Sequence, residues 1–179
     1  MRRRALTMTA LAAPLAALLA TAAPAQSLLD RFAGTGVGAN TFVQMAAISD
    51  NFEIESSRLV LARSTHPQIR EFAQRMIEHH TMISTEMRAL PEATTRMPAA
   101  LDDRHTNMLL TLRQQEDVDL LNRYYVQQQI EGHTEAVTVY ETYANSGDVP
   151  ALKAFAQRHL PMIREHLAAA RALQGRRTE

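Results

Sequence analysis

Cysteine is missing from all 179 residues. That removes disulfides and thiolate ligands, so any metal site has only imidazole, carboxylate or thioether to draw on. It also excludes lipoprotein acylation, which needs a Cys after the N-terminal apolar run. Tryptophan is absent too, and aromatics make up only 5% of the chain. The core must therefore be built from Leu, Ala, Ile, Val and Met, which suit closely packed helices. Basic excess is also lacking. Setting aside residues 1–25 leaves 19 − 3 = 16 basic groups against 19 acidic ones, a net charge of −3. That argues against a nucleic-acid partner, which needs a concentrated basic face. There is no glycine-rich phosphate loop, no Gly-x-Ser-x-Gly and no His-Glu-x-x-His, so an ordinary hydrolase has nothing to stand on.

What is present begins with an N-terminal address. Arg2, Arg3 and Arg4 precede an apolar run from Ala5 to Ala23, broken by Pro14 and closed by Ala23-Pro24-Ala25. This layout reads as a signal peptide over residues 1–25 and predicts an exported, periplasmic protein. No second apolar run approaches the ~20 residues of a membrane span, so no transmembrane helix is expected in the mature chain. Residues 26–40 carry Gly34, Gly36 and Gly38 and read as a flexible leader. The domain is expected over residues 41–174, with a disordered tail at 175–179.

From Thr41 onward the apolar spacing is helical. A first helix is expected from about Thr41 to Ser64, with Phe42, Met45, Ala46, Ser49, Glu53, Ser56 and Val60 on one stripe. A second starts at Pro67, since a missing N–H costs nothing in a first turn. Its stripe runs from Ile69 to Leu90 through His80. Pro91 and Pro98 bracket a loop, and a short helix follows over about Leu101 to Arg113. Asp117 can cap a third long helix reaching about Asn145, and a fourth begins at Pro150. Nothing reads as a strand. The expected fold is an all-α four-helix bundle with a short extra helix between the second and third long helices. The direction of the third long helix stays open. Pro67–Arg75 and Pro150–Arg158 also match in their proline, aliphatic, basic and Phe-Ala-Gln-Arg positions, as two copies of one helical hairpin would.

Four polar side chains fall on stripes that ought to be buried: Glu53, His80, His133 and His166. Glu53 lies 14 residues before Pro67 and His80 13 after it; His133 lies 17 before Pro150 and His166 16 after it. At ~1.5 Å per residue, each pair is level and both sit near mid-bundle. One such group per helix at one height suits a transition metal such as Zn, Cu or Fe. The competing reading is a Glu–His hydrogen-bond network in a non-enzymatic envelope or stress protein. His159 lies two turns before His166 and reads as a supporting or surface residue, while His79 points off its stripe. Met76 and Met162 precede site histidines by four residues, although Met on a stripe usually fills core. No Glu-x-x-His occurs, which argues against a di-iron carboxylate oxidase.

The segments Phe52-Glu-Ile-Glu-Ser-Ser-Arg-Leu59, Phe72-Ala-Gln-Arg-Met-Ile-Glu-His-His80, Tyr125 with His133 eight residues on, and Leu160-Pro-Met-Ile-Arg-Glu-His166 carry a resemblance. They resemble the bacterial family called domain of unknown function 4142. The resemblance implies an exported, ferritin-like bundle in which Glu53, His80, His133, Pro161 and His166 occupy the motif positions. It implies Glu55 as a substitute for Glu53, and Glu78 stands where the family often has Asp. No reaction follows from it. Tyr125 is expected to act as a hydrogen-bond partner of the ligands.

Overall fold

The computed structural model describes residues 36–175. The expected signal peptide, most of the leader and residues 176–179 lie outside the described residues. The leader ends earlier than its glycines suggested: Val37 is buried and the first helix begins at Ala39.

Six helices follow among the described residues: α1 (Ala39–Arg63), α2 (Pro67–Arg88), α3 (Pro91–Thr94), α4 (Asp103–Gln114), α5 (Val118–Ser146) and α6 (Pro150–Gly175). Their starts have local causes. Proline opens α2, α3 and α6, where its fixed φ suits the helix and no hydrogen bond is lost. Asp102 caps α4 by accepting from the His105 backbone N–H at 2.8 Å, and Asp117 caps α5 by accepting from that of Leu120 at 2.9 Å. The stretch between Pro91 and Pro98, expected as loop, contains the single turn α3. Among the described residues there is no strand.

Side-chain pairs fix the directions. Phe42 stacks on Tyr143 at 4.2 Å while Ser57 meets the Tyr125 hydroxyl at 2.8 Å, so α1 and α5 are antiparallel. His79 meets His166 and Glu86 meets His159, so α2 and α6 are antiparallel as well. It follows that α5 runs parallel to α2, and the turns at 64–66 and 147–149 lie at opposite ends. Residues 89–117 must therefore travel the length of the bundle. They do so with α4 laid against α1: Phe52 rests on His105 at 5.3 Å, and the Arg63 guanidinium donates to the carbonyls of Leu112, Arg113 and Gln115. One long crossover is the ferritin-like arrangement.

The core is divided into three levels. One apolar cluster gathers Phe42, Val43, Ile83, Met87, Tyr140, Tyr143, Leu152 and Phe155. The other gathers Val60, Ile69, Phe72, Met76, Leu121, Tyr125 and Leu173. Between them lies a polar band of Asp50, Glu53, His80, Ser84, Gln129, His133 and His166, each at most 2% exposed. Because α1 is covered by α2, α5 and α4, it buries more than one stripe. Asp50, Phe52 and Ser57 are buried in addition to the expected Glu53 and Ser56. α6 runs unbroken through Pro161, which lies on its exposed face.

Candidate metal centre

Each of three helices delivers one imidazole to the middle of the band: α2 His80, α5 His133 and α6 His166. Their ring centroids form a near-regular triangle, 5.5 Å from His80 to His133, 5.2 Å from His80 to His166 and 5.3 Å from His133 to His166. One ligand nitrogen from each lies within 4.8 Å of the other two, so the triplet could hold a metal ion.

The back of each ring is anchored. His80 Nδ1 donates to Asp50 Oδ1 at 2.8 Å, and Asp50 Oδ2 accepts from Ser84 Oγ at 3.3 Å. His133 Nδ1 is 2.8 Å from the Gln129 carbonyl, which can only accept, so that nitrogen carries the proton. His166 Nε2 is 2.8 Å from His79 Nδ1. The inner nitrogens, His80 Nε2, His133 Nε2 and His166 Nδ1, are buried and have no partner in the protein. A ring anchored through one nitrogen with the other free is how metal-binding histidines are oriented.

Glu53 stands beside this triplet rather than within it, its Oε1 3.7 Å from His133 Nδ1. Both carboxylate oxygens are buried without a hydrogen bond, as are both polar atoms of the Gln129 carboxamide. The carboxylate leans over Gly132, where a Cβ would come to 3.2 Å from Oε1. Burial raises the Glu53 carboxyl to about 7, against the pull of charge on His80 and the nearby Gln129 amide.

The same burial acts on the imidazoles. His133 is lowered to about 3 by burial and then by His80. His166 is lowered to about 2 by burial and by the surrounding imidazoles of His80, His133 and His79. Both are neutral at physiological pH, as ligands must be. His80 differs: burial works against its charge, but the hydrogen bond and charge of Asp50, with Glu53, raise it above the ordinary value.

The other expected residues are placed as follows. Tyr125 is buried and its hydroxyl pairs with Ser57, not with a site residue. Glu55 does not stand in for Glu53: it is exposed and pairs with Arg58 at 3.0 Å, because it projects from α1 away from α5. His159 is buried and held by Glu86 at 3.0 Å. Met76 and Met162 pack against the apolar clusters. His79 is a correction. It does not point away from the site, because position 79 borders the stripe on the side of α6, and its ring lies 5.1 Å from that of His166. Asp50 was missed outright. It lies four residues after Ala46 and three before Glu53, so a stripe traced through Ala46, Asp50, Glu53 and Ser57 would have found it.

Among the described residues no helix is long and apolar enough to cross a membrane. No curated protein and no solved structure gives a significant match. Residues 19–173 match the family described as domain of unknown function (DUF4142), and the chain belongs to that family.

Proposed function

We propose that this bundle binds a transition-metal ion, held by His80, His133 and His166 with Glu53 as the adjacent anionic group. The observation that carries this is the set of unpartnered inner atoms. A hydrogen-bond network built for structure would satisfy its own members, since a buried donor or acceptor left unpaired costs about 1–3 kcal/mol. Here three imidazole nitrogens and both Glu53 oxygens are left over in one band, while every outer nitrogen is paired. A cation is the partner that imidazole lone pairs and a carboxylate share.

The donor set narrows the choice. Three nitrogens with a carboxylate alongside suit Zn, Cu or Fe and give no particular preference for Mg or Ca. The His80–Asp50 pair is a carboxylate–histidine arrangement that would fix the ring and strengthen its lone pair. The N-terminal basic and apolar segment supports an exported setting for this chemistry.

The test is elemental analysis of untagged protein purified from its native compartment. About one transition-metal ion per chain is expected in the wild type and none in a His80→Ala, His166→Ala double variant. A wild type that stays metal-free, and whose melting temperature ignores added Zn, Cu and Fe, returns the site to a structural network.

A further inference from the structure

The three anchors behind the site imidazoles are not alike. His80 backs onto Asp50, which is 1% exposed, and His133 backs onto a carbonyl of its own helix. His166 backs onto another histidine, His79, which is half-buried at the seam between α2 and α6. That seam is more sparsely packed than the α1–α2 and α5–α6 interfaces. Exposed Glu78 and Glu165 lie close enough to act on the His79 ring, with Arg75 opposing them. Among the described residues, no hydrogen bond to the outer Nε2 of His79 is found.

A hydrogen bond between two neutral imidazoles can run in either direction, because each ring has one donor and one acceptor. When His79 Nδ1 donates to His166 Nε2, His79 keeps its lone pair on Nε2, toward solvent. His166 then carries its own proton on Nδ1, toward the centre. When His166 Nε2 donates instead, the lone pair of His166 faces the centre and His79 is protonated on its outer nitrogen.

We propose that the His79–His166 pair is the loading gate of the metal centre, with His79 capturing a hydrated transition-metal dication at the α2–α6 seam and His166 receiving it inside. The inference rests on the metal reading above. In capture, His79 Nε2 replaces one water of the ion. In transfer, the ion leaves His79 Nε2 for His166 Nδ1, whose proton departs to solvent. The shared proton moves from His79 Nδ1 to His166 Nε2, and solvent returns a proton to His79 Nε2. Two protons sit on the pair before and after, and no electron moves. The consequence is exclusivity: an ion inside requires a protonated outer face, so a loaded site does not capture a second ion.

The experiment is stopped-flow uptake of Co(II), and its release to a chelator, in the folded wild type, His79→Ala and His79→Gln. His79 is half-buried, so neither variant threatens the core. Because His79 also anchors His166, affinity should fall roughly 10–100-fold in His79→Ala. A residue on the route slows uptake as well, by a factor of about ten, whereas a residue that only orients His166 leaves uptake at the wild-type rate and shows its loss through faster release alone. Wild-type loading rates in the variants, or faster release with normal uptake, overturn the gate and leave the metal reading intact. A wild type that takes up no ion overturns that reading, and the gate with it. Nitrogen NMR of the Zn(II) protein provides a second readout. His79 should change from the Nδ1–H to the Nε2–H tautomer on loading, and a tautomer indifferent to the ion contradicts the proposal.

Discussion

Asp50 and Gly132 show how much of the site depends on residues outside the histidine triplet. Asp50 holds His80 in one tautomer through a charged hydrogen bond. Asp50→Asn keeps an acceptor but removes the charge, so the metal affinity is expected to fall roughly 10–100-fold with the fold intact. Isothermal titration with Zn(II) checks this, and unchanged affinity would free His80 of its dependence. Gly132 leaves space for the Glu53 carboxylate. Gly132→Ala gains up to about 1 kcal/mol of helix propensity in α5, at the cost of moving Glu53 by a few tenths of an ångström. Metal-free stability is expected to hold or rise while ion affinity drops, and the two readouts moving together would contradict that. At this scale the sequence showed only half of the site. The stripe positions of His80, His133 and His166 made them legible. Asp50 lies on a second stripe of α1 that local spacing does reveal, whereas His79 sits on a stripe border, and whether a border faces a neighbour depends on which helices flank it. That is decided by the crossover, which leaves no trace in local periodicity.

The elements themselves were easier to read, because their ends carry chemistry that acts locally. Pro67 and Pro150 open helices wherever the chain goes afterwards, and Asp117 caps α5 through its own backbone. Asp117→Ala is expected to cost about 1 kcal/mol in urea unfolding while leaving ion affinity unchanged, since the cap is several turns from the band. What local chemistry could not supply was the direction of α5. It depends on residues 89–117 spanning the bundle, and that path is held by contacts such as Phe52 with His105 and Arg63 with the carbonyls of the last turn of α4. The level placement of the polar groups was nevertheless readable, because counting residues from each turn gives height without needing direction.

For the whole molecule, the buried ionisable groups tie folding to pH. In the unfolded chain the histidines take up protons near 6.5, but folded His133 and His166 resist to about 3 and 2. Both contribute stability that is lost as pH falls from 6.5. Glu53 has the opposite sign: its carboxyl rises from 4.5 to about 7, so the folded state holds an extra proton between those values. Its contribution is full below 4.5 and lost as pH rises toward 7. Between 4.5 and 6.5, the lowered imidazoles of His133, His166 and His79 favour higher pH and Glu53 favours lower, so the metal-free protein should lose stability on acidification. Glu53→Gln removes the opposing term and should steepen the loss, as urea unfolding at pH 6.5 and 5.5 would show. A slope unchanged by that substitution would separate Glu53 from the band. An ion should add stability with the logarithm of its concentration, about 2.7 kcal/mol at a hundred times its dissociation constant.

The position of the polar band between two greasy ends also settles how the helices align. Leu, Ile, Val and Met grip without direction, and an aliphatic bundle could slide one helix by a turn, about 5.4 Å, at modest loss. Here such a slip would drive Asp50, Glu53 or a histidine into hydrocarbon and strand its partner, at several kcal/mol. The same polar residues thus act as a detent, a notch that lets four smooth rods lock at one height only.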